Sequence, residues 1–86
     1  MKTIIETNYA TTVARGKIND STTAAQFIMA LEEEVQELID ALLDDIANVD
    51  HELADVILVC LNMARHWGID IEDQLIKNIT KNIDRI

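Results

Sequence analysis

The sequence predicts an all-α protein, and three features support that fold class. Proline is absent from the 86 residues, and the only glycines are Gly16 and Gly68. Sheet-rich folds need turn residues every few positions, and this chain lacks them. Apolar residues also recur at the three- and four-residue spacing of a helix surface. We therefore expect a single domain over residues 1–86 that folds as a four-helix bundle, with short connections between antiparallel neighbours.

The first two helices are predicted in the N-terminal half. A weak apolar pattern indicates a helix from residue 4 or 5 to residue 15, and Gly16 follows it where a helix stop is expected. The second helix is expected to begin near residues 21–23, because Thr23 and Gln26 have the spacing of a capping box. It continues to about residue 46 on an apolar stripe made of Phe27, Ile28, Leu31, Val35, Leu38, Ile39 and Leu42.

The last two helices follow after a short turn. Asp50 can cap a third helix that runs to residue 67, directly before Gly68. Asp70, with Asp73 three residues later, opens the fourth helix. The apolar side of this fourth helix is formed by Ile71, Leu75, Ile79, Ile83 and Ile86.

The amount of apolar side chain predicts self-association. Hydrophobic residues make up 49% of the sequence, yet a chain this short buries only about 60–65% of the surface that its unfolded form exposes. The third helix is also apolar on more sides than three neighbours in one short bundle can cover. We expect a dimer or a dimer of dimers, oligomerising through the central second and third helices.

Charge and composition argue against several classes of protein. The net charge is −9 at pH 7, whereas proteins that bind DNA or anionic membranes carry basic surfaces. Cys60 is the only cysteine, so no internal disulfide can form. The longest apolar run, residues 56–61, is too short to cross a bilayer, and the N-terminus lacks a signal-peptide pattern. We expect a cytoplasmic protein with no DNA partner and no membrane partner.

The acidic run in the middle of the chain contains the candidate site. Between residues 32 and 55 there are ten carboxylates and no Lys or Arg. Glu34 and Glu37 are expected a turn apart on one flank of the apolar stripe, beside the small residues Ala30 and Ala41. That flank leaves room for an ion between the two carboxylates. The outward face of the same helix holds Glu33, Gln36 and Asp40.

The third helix supplies a second pair of carboxylates. Its polar residues form one narrow stripe on an otherwise apolar helix, so the stripe must find partners inside the fold. If this stripe meets the pair on the second helix, cations must neutralise the four charges that come together. Oxygen ligands without His or Cys favour Mg²⁺, with Mn²⁺ as the alternative. The stripe contains Glu52, Asp55, Asn62 and His66, with Arg65 at its edge.

These acidic residues have other interpretations besides a metal site. A solvated helix face explains either pair by itself, and a non-catalytic acidic helical binding protein would keep the fold without carboxylates at its core. Two pairs on adjacent helices, each on the core side, favour the metal site over that alternative. A di-iron carboxylate bundle is set aside, because it needs Glu-x-x-His pairs and the sequence has none.

The two motifs together resemble a known family. Residues 33–37, EEVQE, and residues 52–55, ELAD, are similar to the EExxE…ExxD signature of the all-α nucleotide pyrophosphohydrolases. That superfamily includes MazG-like proteins, dimeric dUTPases and phosphoribosyl-ATP pyrophosphohydrolases. Residues 61–70, LNMARHWGID, resemble the MazG sequence after the second motif. Lys81 and Arg85 resemble the basic ending of the family, and the similarity covers roughly residues 20–86.

The resemblance implies an Mg²⁺-dependent hydrolase that cleaves an NTP or dNTP to the monophosphate and pyrophosphate, a reaction suited to nucleotide-pool cleaning. Either a ligand carboxylate such as Glu34 or the neighbouring Glu33 would act as general base. Lys81 and Arg85 would hold the pyrophosphate, with ordinary surface bases near a helix end as an equal alternative. The metal ligands would be Glu34, Glu37, Glu52 and Asp55.

Four more polar or aromatic residues lie close to these motifs. Asn62 is on the metal stripe and is expected to contact the substrate, with a satisfied structural amide as the alternative. His66 and Trp67 are expected to pack inside the fold, and His51 is expected to lie in solvent.

Overall fold

The computed structural model describes all 86 residues, which form four α-helices and no strand. The predicted all-α class is confirmed, and the helix ends agree with the predicted ones to within three residues. None of the helices is both long enough and apolar enough to cross a membrane. The helices are α1 (Lys2–Ala14), α2 (Ala24–Asp44), α3 (Val49–His66) and α4 (Ile71–Asp84), with a 3₁₀ helix at Ile46–Asn48 between α2 and α3.

Both glycines end helices, as predicted. Gly16 has a φ of 74° and Gly68 a φ of 66°, in the left-handed region that side chains disfavour. After α1, the Gly16 N–H donates to the Val13 carbonyl (2.9 Å) and the Lys17 N–H donates to the Thr12 carbonyl (3.1 Å). This pair of bonds is a Schellman motif, which satisfies carbonyls that the helix end leaves free.

Two of the predicted N-terminal caps are also observed. The Gln26 backbone N–H donates to the Thr23 hydroxyl (3.3 Å), and the Thr23 N–H donates to the Gln26 side-chain oxygen (2.8 Å). At the start of α4, the Asp70 carboxylate accepts a hydrogen bond from the Asp73 N–H (3.1 Å). Each cap satisfies backbone donors that have no partner inside the helix.

The predicted cap of α3 is wrong. The helix begins at Val49, its N-cap position is Asn48, and no side chain caps it. Asp50 lies inside the first turn, where its carboxylate accepts only the N–H of His51 (2.8 Å). The 3₁₀ helix causes the difference, because it carries the chain directly into α3 and leaves no extended residue to act as a cap.

The central element is α3, which packs against both α1 and α2. The four-residue connection, residues 45–48, makes α2 and α3 close neighbours, so that polar groups on their facing sides can meet. Of the six buried residues, three belong to α3, and the six are Ile18, Phe27, Ala41, Leu61, Asn62 and Ala64.

The last helix, α4, does not join the other three. Every side chain from residue 72 to residue 86 is exposed, and α4 makes no extensive packing with another helix. One ion pair, between the Met1 ammonium and the Glu72 carboxylate (3.5 Å), links the start of α4 to the packed unit. The predicted four-helix bundle is therefore wrong for a single chain, in which the packed unit consists of α1, α2 and α3.

Candidate metal centre and its two clefts

The structure brings the four predicted carboxylates together. Glu34 and Glu37 come from α2, and Glu52 and Asp55 come from α3. Each offers one carboxylate oxygen, and these four oxygens lie within 4.8 Å of one another. The cause is local and simple, since residues three apart lie on the same face of a helix and the two faces meet where α2 packs on α3. We call these four residues the carboxylate cluster.

Two oxygens of the carboxylate cluster are buried without any hydrogen-bond partner. They are Oε2 of Glu34 and Oε2 of Glu52. A buried polar oxygen without a partner is unfavourable, and more so when it is charged. No Lys or Arg forms an ion pair with the cluster, whose nearest basic atom is Nε2 of His51, 3.4 Å from Asp55 Oδ2. The all-oxygen donor set and the two unpartnered atoms both fit a hard divalent cation.

The environment also raises the pKa of two members of the cluster. Burial is the largest cause for Glu34, followed by the negative charges of Glu37 and Asp55. Burial likewise raises the pKa of Glu52, and the neighbouring carboxylate of Glu37 raises it further. His51 acts in the opposite direction on Glu52 but does not outweigh these effects. Without a cation, these carboxyls therefore hold protons more tightly than ordinary glutamates do.

The carboxylate cluster opens on one side into a cleft of about 510 Å³. Glu34 and Asp55 stand at the border between the cluster and the cleft. Arg15 and Lys17, which follow α1, line the cleft too, so it contains both charge signs; we call it the mixed-charge cleft. Its lining is completed by Asn8, Thr12, Ala30, Glu33, Leu58, Val59 and Asn62.

On the other side, towards the α2–α3 connection, the cluster borders a groove of about 290 Å³. Glu37 and Glu52 are the cluster members that line it. Three more carboxylates and no Lys or Arg complete its charge, and we call it the acidic groove. The remaining lining residues are Asp40, Ala41, Asp44, Asp45 and Asn48. Asn48 donates an amide hydrogen bond to Glu52 Oε1 (3.3 Å) and so restrains that carboxylate.

The Asn62 amide lies in the wall of the mixed-charge cleft but is engaged with α1. Its oxygen accepts a hydrogen bond from Asn8 Nδ2 (2.9 Å), and its nitrogen donates to the Thr12 hydroxyl (3.1 Å). Asn8 Nδ2 also donates to the Leu58 carbonyl (3.0 Å). Asn62 thus fixes α1 on α3, and because it also lines the cleft its contact with the substrate stays a prediction.

His66 and His51 lie as predicted, whereas Trp67 is only partly inside the fold, with 48% of its surface exposed. His66 Nδ1 accepts from the Tyr9 hydroxyl (2.9 Å), and Nε2 donates to the Thr22 carbonyl (3.2 Å). Trp67 packs on Phe27, with ring centroids 5.1 Å apart. His51 is mostly exposed, although its ring reaches Asp55.

The basic residues that line the mixed-charge cleft differ from the two that the family resemblance implies. Lys81 on α4 and Arg85 directly after it are exposed and line none of the four cavities, so a single chain does not bring them to the clefts beside the carboxylate cluster. Arg15 and Lys17 line the mixed-charge cleft instead. The sequence held one signal for them, namely two bases on either side of a helix-ending glycine in a strongly acidic chain.

Comparison with known proteins yields one match. The family model of the MazG nucleotide pyrophosphohydrolase domain matches residues 22–86. The matched range contains α2, α3 and α4 with the whole carboxylate cluster, and it leaves out α1 and the turn with Arg15 and Lys17. No curated protein and no solved structure matches the chain.

Proposed function

The chain belongs to the MazG nucleotide pyrophosphohydrolase family, and we propose that it hydrolyses an NTP or dNTP to the monophosphate and pyrophosphate with Mg²⁺. The observation that carries this proposal is the carboxylate cluster, in which four carboxylate oxygens lie within 4.8 Å of one another without a Lys or Arg partner, and two oxygens of the same residues are buried without a hydrogen-bond partner. A reaction on a polyphosphate needs positioning and charge neutralisation far more than covalent chemistry. Removal of unwanted nucleotides from the cellular pool is the role that we propose for it.

Glu34, Glu37, Glu52 and Asp55 would hold the cation, for which Mn²⁺ is the natural substitute. When bound, the cation supplies neutralisation of the phosphate charge and acidification of a water molecule. All the donor atoms that the cluster offers to a metal are carboxylate oxygens, because no His nitrogen or Cys sulfur belongs to it. Its two helices also fix the carboxylates before any substrate arrives, which removes part of the cost of ordering them.

We propose Glu33 as the general base. It lines the mixed-charge cleft next to Glu34 but is not a member of the cluster, so its carboxylate is free to accept a proton. In the reaction, water adds across the anhydride bond between the α- and β-phosphates, its proton passes to Glu33, and pyrophosphate leaves with the bonding electrons. Glu34 is the alternative base, since it borders both the cluster and the cleft.

Self-association through α2 and α3 is part of the proposal. Eight large apolar side chains on these two helices are exposed in the single chain, a surface that water does not favour. A dimer or dimer of dimers would cover it and place the site near the interface. The eight are Ile28, Met29, Val35, Ile39, Leu42, Leu43, Leu53 and Ile57.

The apolar side of α4 is exposed as well, through Leu75, Ile76, Ile79 and Ile83. Lys81 lies on the same helix and Arg85 directly follows it, and in an assembly α4 could carry them to the cleft of another chain. Their proposed contact with pyrophosphate depends on that assembly, because neither residue lines a cavity of its own chain.

The test is a panel of canonical and modified NTPs and dNTPs with Mg²⁺, in which the products are separated as pyrophosphate or orthophosphate. The proposal expects at least one substrate to yield a monophosphate and pyrophosphate. A diphosphate and orthophosphate would assign a different reaction. If no nucleotide reacts, the non-catalytic acidic helical interaction protein becomes the better description of this chain.

A further inference from the structure

Arg15 and Lys17 are the two basic side chains that line the mixed-charge cleft. Neither forms an ion pair, whereas Arg65 pairs with Glu6 (2.9 Å) and Lys77 pairs with Asp73 (2.8 Å). Five of the seven Lys and Arg side chains form no ion pair, and two of these five line this one cleft. Their charges are available to an anion that enters the cleft.

The turn that carries the two bases has a defined conformation. The Schellman bonds of Gly16 and Lys17 close it, and Ile18, directly after it, is buried. Basic residues are common after helix ends because they favour the carbonyl end of the helix dipole. That effect explains why either base follows α1. It does not explain why both border the cleft that leads to the carboxylate cluster.

Hydrogen bonds between α1 and α3 also hold the wall of the cleft in place. Asn62 of α3 is bonded to Asn8 and Thr12 of α1, and these three polar residues all line the mixed-charge cleft. Two hydrogen bonds between helices therefore hold the end of α1 at a fixed place beside α3. Arg15 and Lys17 follow directly from that end, three and five residues beyond Thr12.

The charges on the two sides of the cluster give a direction to substrate binding. The acidic groove has five carboxylates and no base, so a polyphosphate that lay there would meet only like charge. The mixed-charge cleft offers two bases and three carboxylates, two of which are cluster members that a cation would neutralise. Charge therefore favours a phosphate chain in the mixed-charge cleft over one in the acidic groove.

We infer that Arg15 and Lys17 bind the phosphate chain of the substrate from the side of the mixed-charge cleft that faces the carboxylate cluster. The inference rests on the proposed function and adds to it that α1 and its turn, outside the family match at residues 22–86, supply part of the substrate site. The Arg15 guanidinium can donate two parallel hydrogen bonds to one phosphate, and the Lys17 ammonium contributes a point charge.

The experiment measures binding rather than turnover. Inorganic triphosphate with Mg²⁺ is titrated calorimetrically into the wild type, Arg15→Ala, Lys17→Ala and the double variant. Loss of one charge-assisted contact should raise Kd about tenfold, and loss of both should raise it roughly a hundredfold. The matched control is Lys2→Ala, which removes an exposed unpaired base at the other end of α1, outside this cleft. It should change Kd less than about twofold.

Hydrolysis assays on the same proteins separate the two proposals. If the wild type hydrolyses a nucleotide and the Arg15 and Lys17 variants bind triphosphate normally, the inference is wrong while the proposed function stands. If no nucleotide reacts but binding still depends on the two bases, the proposed function fails and the anion site stands. Absence of triphosphate binding by the wild type, or equal weakening by Lys2→Ala, would also overturn the inference. Circular dichroism confirms that the variants fold, since both side chains are exposed.

Discussion

The mixed-charge cleft and the acidic groove both border the carboxylate cluster, but only the mixed-charge cleft contains basic side chains. Arg15 and Lys17 stand in the first, whereas the second adds Asp40, Asp44 and Asp45 to its two cluster members. Both regions draw on the same acidic run of the sequence, so composition does not distinguish them. The difference teaches that the function of a carboxylate here depends on its neighbours across the helix interface.

The largest expected effect separates the cluster from the rest of the acidic run. Asp55→Asn or Glu37→Gln should lower hydrolysis by more than the roughly 10–100-fold that loss of an outer-shell partner costs a metal site. Stability without metal should stay the same or rise, because each change removes a negative charge from a crowded cluster. Steady-state kinetics and urea unfolding measure the two quantities.

Glu32→Gln is the matched control for that pair. Glu32 is exposed on α2 and lines none of the four cavities. Its replacement should leave activity intact and change stability by at most about 0.5 kcal/mol. Equal behaviour of Glu32→Gln and Glu37→Gln would mean that the acidic run is only a solvated helix face.

A second prediction distinguishes Glu33 from its cluster neighbours within the mixed-charge cleft. Glu33→Gln should reduce kcat by about 10²–10⁴-fold, the usual contribution of a general base. It should leave the stabilisation by Mg²⁺ unchanged, because Glu33 offers no oxygen to the cluster. If kcat is unaffected and Glu34→Gln alone loses turnover, Glu34 is the base.

A third, smaller effect compares the two helix-ending glycines. Gly16→Ala and Gly68→Ala should each cost roughly 1–2 kcal/mol, since both positions are left-handed and neither new methyl group meets an atom within 4 Å. Only Gly16→Ala should raise KM, because only that turn holds Arg15 and Lys17 at the cleft. A similar KM for the two variants would mean that the turn at Gly16 does not contribute to substrate binding.

The smallest effect is the dependence of stability on pH in the absence of metal. The folded state raises the pKa of Glu34 and Glu52 above 4.5, so between that value and the raised values the folded protein holds more protons than the unfolded one. The free energy of unfolding should therefore fall as the pH rises through this window. Urea unfolding at several pH values should give a weaker fall for the variant with both residues changed to Gln, and an identical fall would contradict the cause.

The parts of this structure that the sequence predicts are those with local causes. The capping box of Thr23 and the stops at Gly16 and Gly68 depend on a few neighbouring residues, and all three are observed. The two carboxylate pairs could be placed because the spacing within each helix fixes its face and a short connection makes the helices adjacent. Bringing the two pairs together required one further assumption, that these two faces pack against each other.

The parts that could not be predicted depend on how elements meet. The apolar pattern of α4 is as regular as that of a packed helix. The pattern does not reveal whether the residues that cover its apolar side belong to the same chain or to another one. The cap predicted at Asp50 failed because a 3₁₀ helix precedes α3. The position of Arg15 and Lys17 at the cleft could not be predicted, because it depends on the packing of α1 on α3. The weak apolar pattern of α1 does not specify that packing.

The claim that the carboxylate cluster binds a metal ion is tested most directly by titrating Mg²⁺ into the folded protein and measuring the midpoint of thermal unfolding at each concentration. The wild type should become more stable with increasing Mg²⁺, by about 2.7 kcal/mol when the ion reaches 100 times its Kd. Asp44→Asn, in the acidic groove but outside the cluster, should respond like the wild type, while Glu34→Gln should lose most of the response. If the wild type gains no stability, or if all three proteins gain equally, the carboxylate cluster is not a metal site.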